Sequence, residues 1–385
     1  MSSPRGDLHT ASPTTPQPAP DGGEDGGENT ARRAPEHADR VRGCLLAGAV
    51  GDALGYAVEF DHWPQIVRRY GPAGLTTLTD VAEPVISDDT QMTLFTLEGL
   101  SEALRWANEG SAADESACLW LAYLRWFRTQ GEPLPAAAPQ PPATWLESEP
   151  LMRHRRAPGN ACLSGLGSGA MGTAERPVNP DAKGCGTVMR SAPFGLVPHV
   201  AVPDLVRLAA RGSALTHGHP TAGVAAGALT GIIGRVVRGA DLAVAVRETM
   251  TALAEGAENA VETHRALTAA VDAAAADRDV DVPLDPPRLS DRFGGGWVAE
   301  EALAIAVYCA LVDADDDPQV HLRRALVRAT NHDGDSDSTA AITGNLIGTL
   351  RGTAALDPAW IGALVERDVV DRAVDEFLHA LAGGR

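Results

Sequence analysis

The chain has 385 residues, enough for one large domain or two ordinary ones with an enclosed site. Acidic residues outnumber basic ones 51 to 32, giving a formal charge of −19, which excludes an extended phosphate-tracking surface because counterion release needs clustered Lys and Arg. The five cysteines, Cys44, Cys118, Cys162, Cys185 and Cys309, are odd in number and lack a C-x-x-C pair, so neither a disulfide framework nor a structural zinc site is expected. The N-terminus has no apolar signal-like core and no stretch approaches about 18 uninterrupted apolar residues, so the expected compartment is the cytoplasm.

Residues 1 to 36 are rich in Pro, Gly, Ser, Thr and acids and nearly free of large apolar side chains. Such a composition cannot offset the entropy of ordering, and a disordered tail is expected there. Beyond it, apolar residues at three- and four-residue spacing predict helices over Val41–Val50, Thr90–Ala107, Ala117–Phe127, Thr221–Val237, Ala299–Val312, Val320–Ala329 and Ala340–Leu350. Gly223, Gly227 and Gly231, four residues apart, would let a partner helix approach closely. Gly131–Pro142 reads as a proline-rich surface loop, and Val280–Gly296 as prolines followed by a Gly-Gly-Gly turn. Period-two alternation is scarce and no fixed-period repeat occurs, so the expected fold is all-α, one compact helical domain over 37–385.

Three segments could carry chemistry. Ser87, Asp88 and Asp89 open the helix over Thr90–Ala107, where a cap and two dipole-complementing acids would be an ordinary explanation. Asp333, Asp335 and Asp337 alternate ahead of the helix over Ala340–Leu350, more acid than capping needs. Residues two apart share no helix face, so Asp335 and Asp337 can converge on one ion only in a turn before the helix. An EF-hand fails, because Ser338 falls where that loop needs Gly and Gly344 where it needs Glu. Glu59 follows an apolar Tyr-Ala-Val run, where desolvation would disfavour its charge, as suits an acid/base residue, although by position alone a solvated helix-end carboxylate is the ordinary explanation.

The glycines of Pro158–Cys162 and Lys183–Arg190 could present backbone N–H groups to phosphate or ribose, or simply form turns. Gly167–Gly172 spells G-x-G-x-x-G, but no strand precedes it, so a dinucleotide fold is rejected. His217 and His219 lack a third nitrogen or sulfur ligand at workable spacing and are expected to cap or line a helix start instead of binding zinc.

Taken together and in order, Gly43–Phe60, Ile86–Leu94, Arg155–Leu166, Lys183–Leu196, Leu215–Pro220, Gly294–Ala306 and Gly334–Gly348 resemble the ADP-ribosylglycohydrolase family. The resemblance implies a single orthogonal helical bundle, two Mg²⁺ or Mn²⁺ ions, and hydrolysis of the bond between ribose C1″ and a modified group. Carried over by position, it implies metal contacts from Ser87, Asp88, Asp89, Asp335, Asp337 and Ser338. It makes Glu59 the catalytic acid/base with Asp52 as a supporting carboxylate, and sets Gly159, Asn160, Gly184, Gly186 and His217 in loops that contact ADP-ribose. Trp297 and Glu300 are expected to flank the leaving group. Lys183 and Cys185 stand where some relatives carry an aromatic residue and an asparagine, which leaves the substrate subclass open.

The linkage expected first is N-glycosidic, to arginine. The partner is then an ADP-ribosylated protein or small ADP-ribose conjugate, met by a monomer without an extended nucleic-acid surface or a membrane. A catalytically silent ADP-ribose binder, and a dinuclear-metal hydrolase acting on another ADP-ribose derivative or a phosphate ester, are the competing readings. All-oxygen ligation favours hard ions. Like-charged carboxylates about 4 Å apart cost about 4 kcal/mol per pair at an effective dielectric near 20, so metal is expected to couple to stability.

Overall fold

The computed structural model describes residues 36–256, 258–278 and 286–383. All but the last residue of the tail expected over 1–36 lies outside the described residues. The described residues fall in one unit and are helical, with no strand among them and a single isolated antiparallel bridge, Gly184 to Val298. The all-α expectation holds.

Helix α1, His37–Tyr56, is buried along almost its whole length and runs against the Ser336–Arg351 helix. Small residues make this possible. A Cβ on Gly51 would lie 2.3 Å from the Ala340 carbonyl oxygen, one on Gly55 2.2 Å from that of Ser336, and one on Gly344 2.1 Å from that of Ala47. The two backbones touch, so the contact tolerates no side chain at these positions. Because α1 ends three residues before Glu59 and the opposing helix begins at Ser336, this contact brings the first and last acidic segments together.

Helix α2, Trp63–Tyr70, begins with the Trp63 N–H donated to the Asp333 carboxylate. Helix α3, Asp88–Asn108, packs on α4, Glu115–Thr129, and on the C-terminal Arg367–Leu381 helix. Gly223, Gly227 and Gly231 do face a partner, the Val202–Ala214 helix; a Cβ on Gly227 would meet Val206 at 2.9 Å. Their own helix, Pro220–Val237, is long and apolar enough to cross a membrane, but 72% of it is buried inside the protein, as in a core helix.

The expected helices are all present, most of them longer than the apolar core suggests, while Ala299–Val312 has the expected bounds. Val202–Ala214, Leu242–Gly256, Val261–Asp277 and Arg367–Leu381 are helices that the spacing analysis did not single out, because charged residues interrupt their apolar stripes. The segment expected as a loop over 280–296 contains a helix, Pro286–Phe293, that buries Leu289 and Phe293. Two prolines at its start fit the first helical turn, where no N–H is needed. The Gly-Gly-Gly turn follows it, with Gly294 at φ 87° and Gly296 at φ 81°.

Candidate active site

Asp52, wholly buried on α1, organises the start of α3. Its carboxylate accepts the Ser87 N–H at 3.0 and 3.1 Å and the Thr90 N–H at 3.0 Å. These are helix N-terminal donors that would otherwise lack partners. Ser87 is the N-cap, accepting the Asp89 N–H at 3.2 Å, with its hydroxyl also against Asp337. Capping is therefore shared by Asp52 and Ser87, which leaves Asp88 and Asp89 free to point elsewhere.

They point into a cavity of about 510 Å³, lined also by Glu59, Asp335, Asp337 and Ser338. One carboxylate oxygen each from Glu59, Asp335 and Asp337 lie within 4.8 Å of one another. Asp88 accepts the Gly159 N–H at 3.1 Å, Asp337 accepts the Ser338 N–H at 2.9 Å, and Asp335 accepts the Cys185 thiol at 2.7 Å. Glu59 Oε2 and Asp89 Oδ2 are buried and have no hydrogen-bond partner among the described residues. Asp333 does not join them, being taken up by α2.

So many buried acids raise one another's proton affinity. Desolvation, then repulsion from Asp337, Asp335, Asp88 and Asp52, pushes Glu59 up to about 10. Desolvation and Asp337 push Asp52 up to about 7, against the opposing effect of its N–H donors. Asp88, Asp89 and Asp335 are held well above the usual carboxylate range, by desolvation first, and Asp337 is raised for the same reason. A cluster of buried carboxylates with orphaned oxygens is the donor set of hard divalent cations, so the residues present fit such ions.

Gly159, Asn160, Gly184, Gly186, His217 and Trp297 line the same cavity. The loop at Lys183–Cys185 is zipped to Trp297–Ala299 by the Cys185 N–H donated to the Trp297 carbonyl at 3.1 Å and the Ala299 N–H donated to that of Lys183 at 2.9 Å. A Cβ on Gly186 would be tight, 3.1 Å from both Cys162 Sγ and the His217 ring. The buried Arg190 guanidinium donates to the Thr216 hydroxyl at 2.7 Å, and that hydroxyl lies 2.8 Å from His217 Nδ1. Arg190 only donates, so the Thr216 proton is available to Nδ1, and in that tautomer His217 carries its own proton on Nε2. Burial and Arg190 lower His217 to about 3, so it is neutral. His219 caps the Pro220–Val237 helix, accepting the Thr221 N–H at 3.2 Å.

Some of the expected residues stand outside the cavity lining. Glu300 does not line the cavity; it is buried and paired with Lys183, which also binds Glu262. Asp52 does not line it either, and its place behind α3 makes it a positioning residue. The sequence reading missed Phe60, which lines the cavity yet is 71% exposed, and Arg155, which pairs with Glu132 at the cavity edge. Nothing but adjacency to Glu59 and to the Pro158–Cys162 loop marked them. Ala157, in that loop, has φ 51°, a conformation costing a non-glycine residue about 1–2 kcal/mol. A larger cavity of about 800 Å³ lies elsewhere, beside Arg323, Arg324 and Arg328, but those arginines are paired with Asp357, Asp315 and Asp313 and it holds no acid cluster.

An all-helical scaffold that buries two aspartate pairs and a glutamate against glycine loops defines a protein with a metal-capable acidic centre. The chain belongs to the ADP-ribosylglycohydrolase family, whose model matches residues 33–385. It is 26% identical over 352 residues to the ADP-ribosyl-[dinitrogen reductase] glycohydrolase of Rhodospirillum rubrum, covering 90% of this chain and 97% of that protein. An uncharacterized protein of Archaeoglobus fulgidus is 24% identical over 357 residues, 89% of this chain and 95% of its own length. A solved structure titled an ADP-ribosylglycohydrolase-related protein complex shares the fold with a TM-score of 0.59 and 24% identity, covering 90% of this chain and 99% of that one.

Proposed function

We propose that this chain removes ADP-ribose from modified arginine by hydrolysing the N-glycosidic bond at ribose C1″, with two Mg²⁺ or Mn²⁺ ions bound. The observation that carries this reading is the meeting of Asp88, Asp89, Asp335, Asp337 and Glu59 in one cavity, with two buried carboxylate oxygens left unpartnered. Membership of the family supports ADP-ribose removal, and the Rhodospirillum rubrum relative is named for a protein target.

Asp88, Asp89, Asp335 and Asp337 would hold the ions, with the Ser87 and Ser338 hydroxyls as further oxygen donors. Such ions, when bound, would neutralise the aspartates and polarise ribose hydroxyls. Asp52 holds Ser87 and Thr90, and through them the register of Asp88 and Asp89. Glu59 faces the cavity and exchanges a proton with the attacking water or the departing guanidine. The loops at Gly159–Asn160 and Gly184–Gly186, with neutral His217, contact the ADP-ribose without adding positive charge, which suits so acidic a protein, while the Gly159 N–H itself is held by Asp88. Trp297 at the mouth flanks the leaving group.

A panel of ADP-ribosylated arginine, serine, polymer and DNA with Mg²⁺ or Mn²⁺, scored for free ADP-ribose, tests the reading. Release from arginine is expected. Cleavage of another member alone would reassign the linkage, binding without release would make the chain an ADP-ribose binder, and phosphate release in place of ADP-ribose would make it a phosphoesterase.

A further inference from the structure

Glu366 occupies the N-cap position of the Arg367–Leu381 helix, yet its side chain caps nothing there. The wholly buried carboxylate reaches instead to a segment 280 residues earlier, accepting the Ile86 N–H at 3.2 Å and the Arg156 guanidinium at 2.6 Å. The same Arg156 nitrogen donates to the Ile86 carbonyl at 2.9 Å, so both polar groups of the Ile86 backbone end on this ion pair. A second tie joins the same two segments, the Val365 N–H donated to the Pro84 carbonyl at 3.0 Å. The main chain that carries Arg156 grips the next acid: the Arg156 carbonyl accepts the Asp88 N–H at 3.1 Å, and the Gly159 N–H is donated to the Asp88 carboxylate at 3.1 Å. Arg155 and Ala157 line the cavity, but Arg156 and Glu366 do not.

We infer that Arg156 and Glu366 are positioning residues of the hydrolytic centre, which hold Ile86 from behind and thereby set where Ser87 and Asp88 meet the other acids. The inference rests on the reading of Asp88 as a metal ligand. Desolvating two charges offsets much of what their attraction returns, so a buried pair acts here through the geometry it imposes more than through net stability. Charge and geometry predict opposite signs for Arg156. Removing a cation from the neighbourhood of the acids should tighten divalent-ion binding, whereas losing the orientation of Asp88 should weaken it.

The test uses the full chain, stripped of metal with chelator and titrated with Mn²⁺ by paramagnetic resonance, with the melting temperature recorded for each variant. Arg156→Met is expected to weaken Mn²⁺ binding by roughly 10- to 100-fold, the usual effect of losing a residue that orients a metal ligand. Arg156→Lys should restore most of the affinity, because one nitrogen makes both of the side chain's bonds. Glu366→Gln keeps an acceptor for the Ile86 N–H and carries the test should Arg156→Met not fold. The double variant should lose no more affinity than the weaker-binding single one, since the two residues act as a unit. Arg128→Met, which breaks the Arg128–Glu147 pair outside the cavity lining, controls for lost stability and should keep the wild-type affinity. Unchanged or tighter binding in Arg156→Met, additive losses in the double variant, or equal weakening in Arg128→Met overturns the inference and leaves the hydrolase reading standing. A wild-type chain that binds no Mn²⁺ overturns both.

Discussion

Glu59 is nearly isosteric with glutamine, so Glu59→Gln removes proton exchange while leaving the cavity its shape. Turnover should fall by at least about 10²-fold, the usual contribution of a positioned acid/base, with ADP-ribose affinity retained by calorimetry. A near-normal rate would take Glu59 out of the mechanism. Asp335→Ala should lose metal and activity together; full metal content by elemental analysis would contradict its assignment as a ligand. Asp335 was visible in the sequence because its turn carries more acid than a cap uses, whereas Glu59 reads by position as an ordinary helix-end carboxylate and stood out only through the family resemblance. Phe60 and Arg155 were not visible, since an exposed aromatic and a surface arginine carry no pattern until the cavity edge is known.

Helix contacts decide where those residues go. A methyl group at Gly55 would press into the Ser336–Asp337 backbone, 2.2 Å from the Ser336 carbonyl oxygen and 2.5 Å from the Asp337 Cα. Backbone cannot yield as a flexible side chain does, so Gly55→Ala should destabilise by about 1–3 kcal/mol in urea unfolding and weaken metal binding as well. Gly223→Ala is the internal control. Its Cβ would meet Ala210 at 3.5 Å, an ordinary contact, and alanine's helix propensity should make the change neutral or stabilising by up to about 1 kcal/mol. Equal losses in the two variants would show that the α1 contact is no closer than other helix pairs. The four-residue glycine spacing of the Pro220–Val237 helix was legible as a packing face. Two helices about 300 residues apart in the chain give no local sign that they are partners.

Across the whole molecule, the acid cluster ties stability to pH, and the proposed ions would tie it to metal. Its carboxylates have folded-state proton affinities above their unfolded ones, so the metal-free fold retains their contribution in acid, below the unfolded value near 4, and loses it as pH rises through the folded values of about 7 for Asp52 and about 10 for Glu59. The melting temperature of chelated protein should therefore fall between pH 5 and 8, and saturating Mn²⁺ or Mg²⁺ should raise it most at the alkaline end. A melting temperature indifferent to chelator at pH 8 would mean the cluster binds no ion. Composition and periodicity determined by themselves that the chain is helical and acidic, where most of its helices lie, and which two turns carry surplus carboxylate, because those are local properties of spacing and side-chain type. Tertiary structure alone decided that Asp88 and Asp89 meet Asp335 and Asp337, that Asp52 stands behind the cavity and not in it, that Glu300 is tied to Lys183, and that Cys185 leans on Asp335. Each depends on backbone approaches between distant helices, which no short-range pattern encodes.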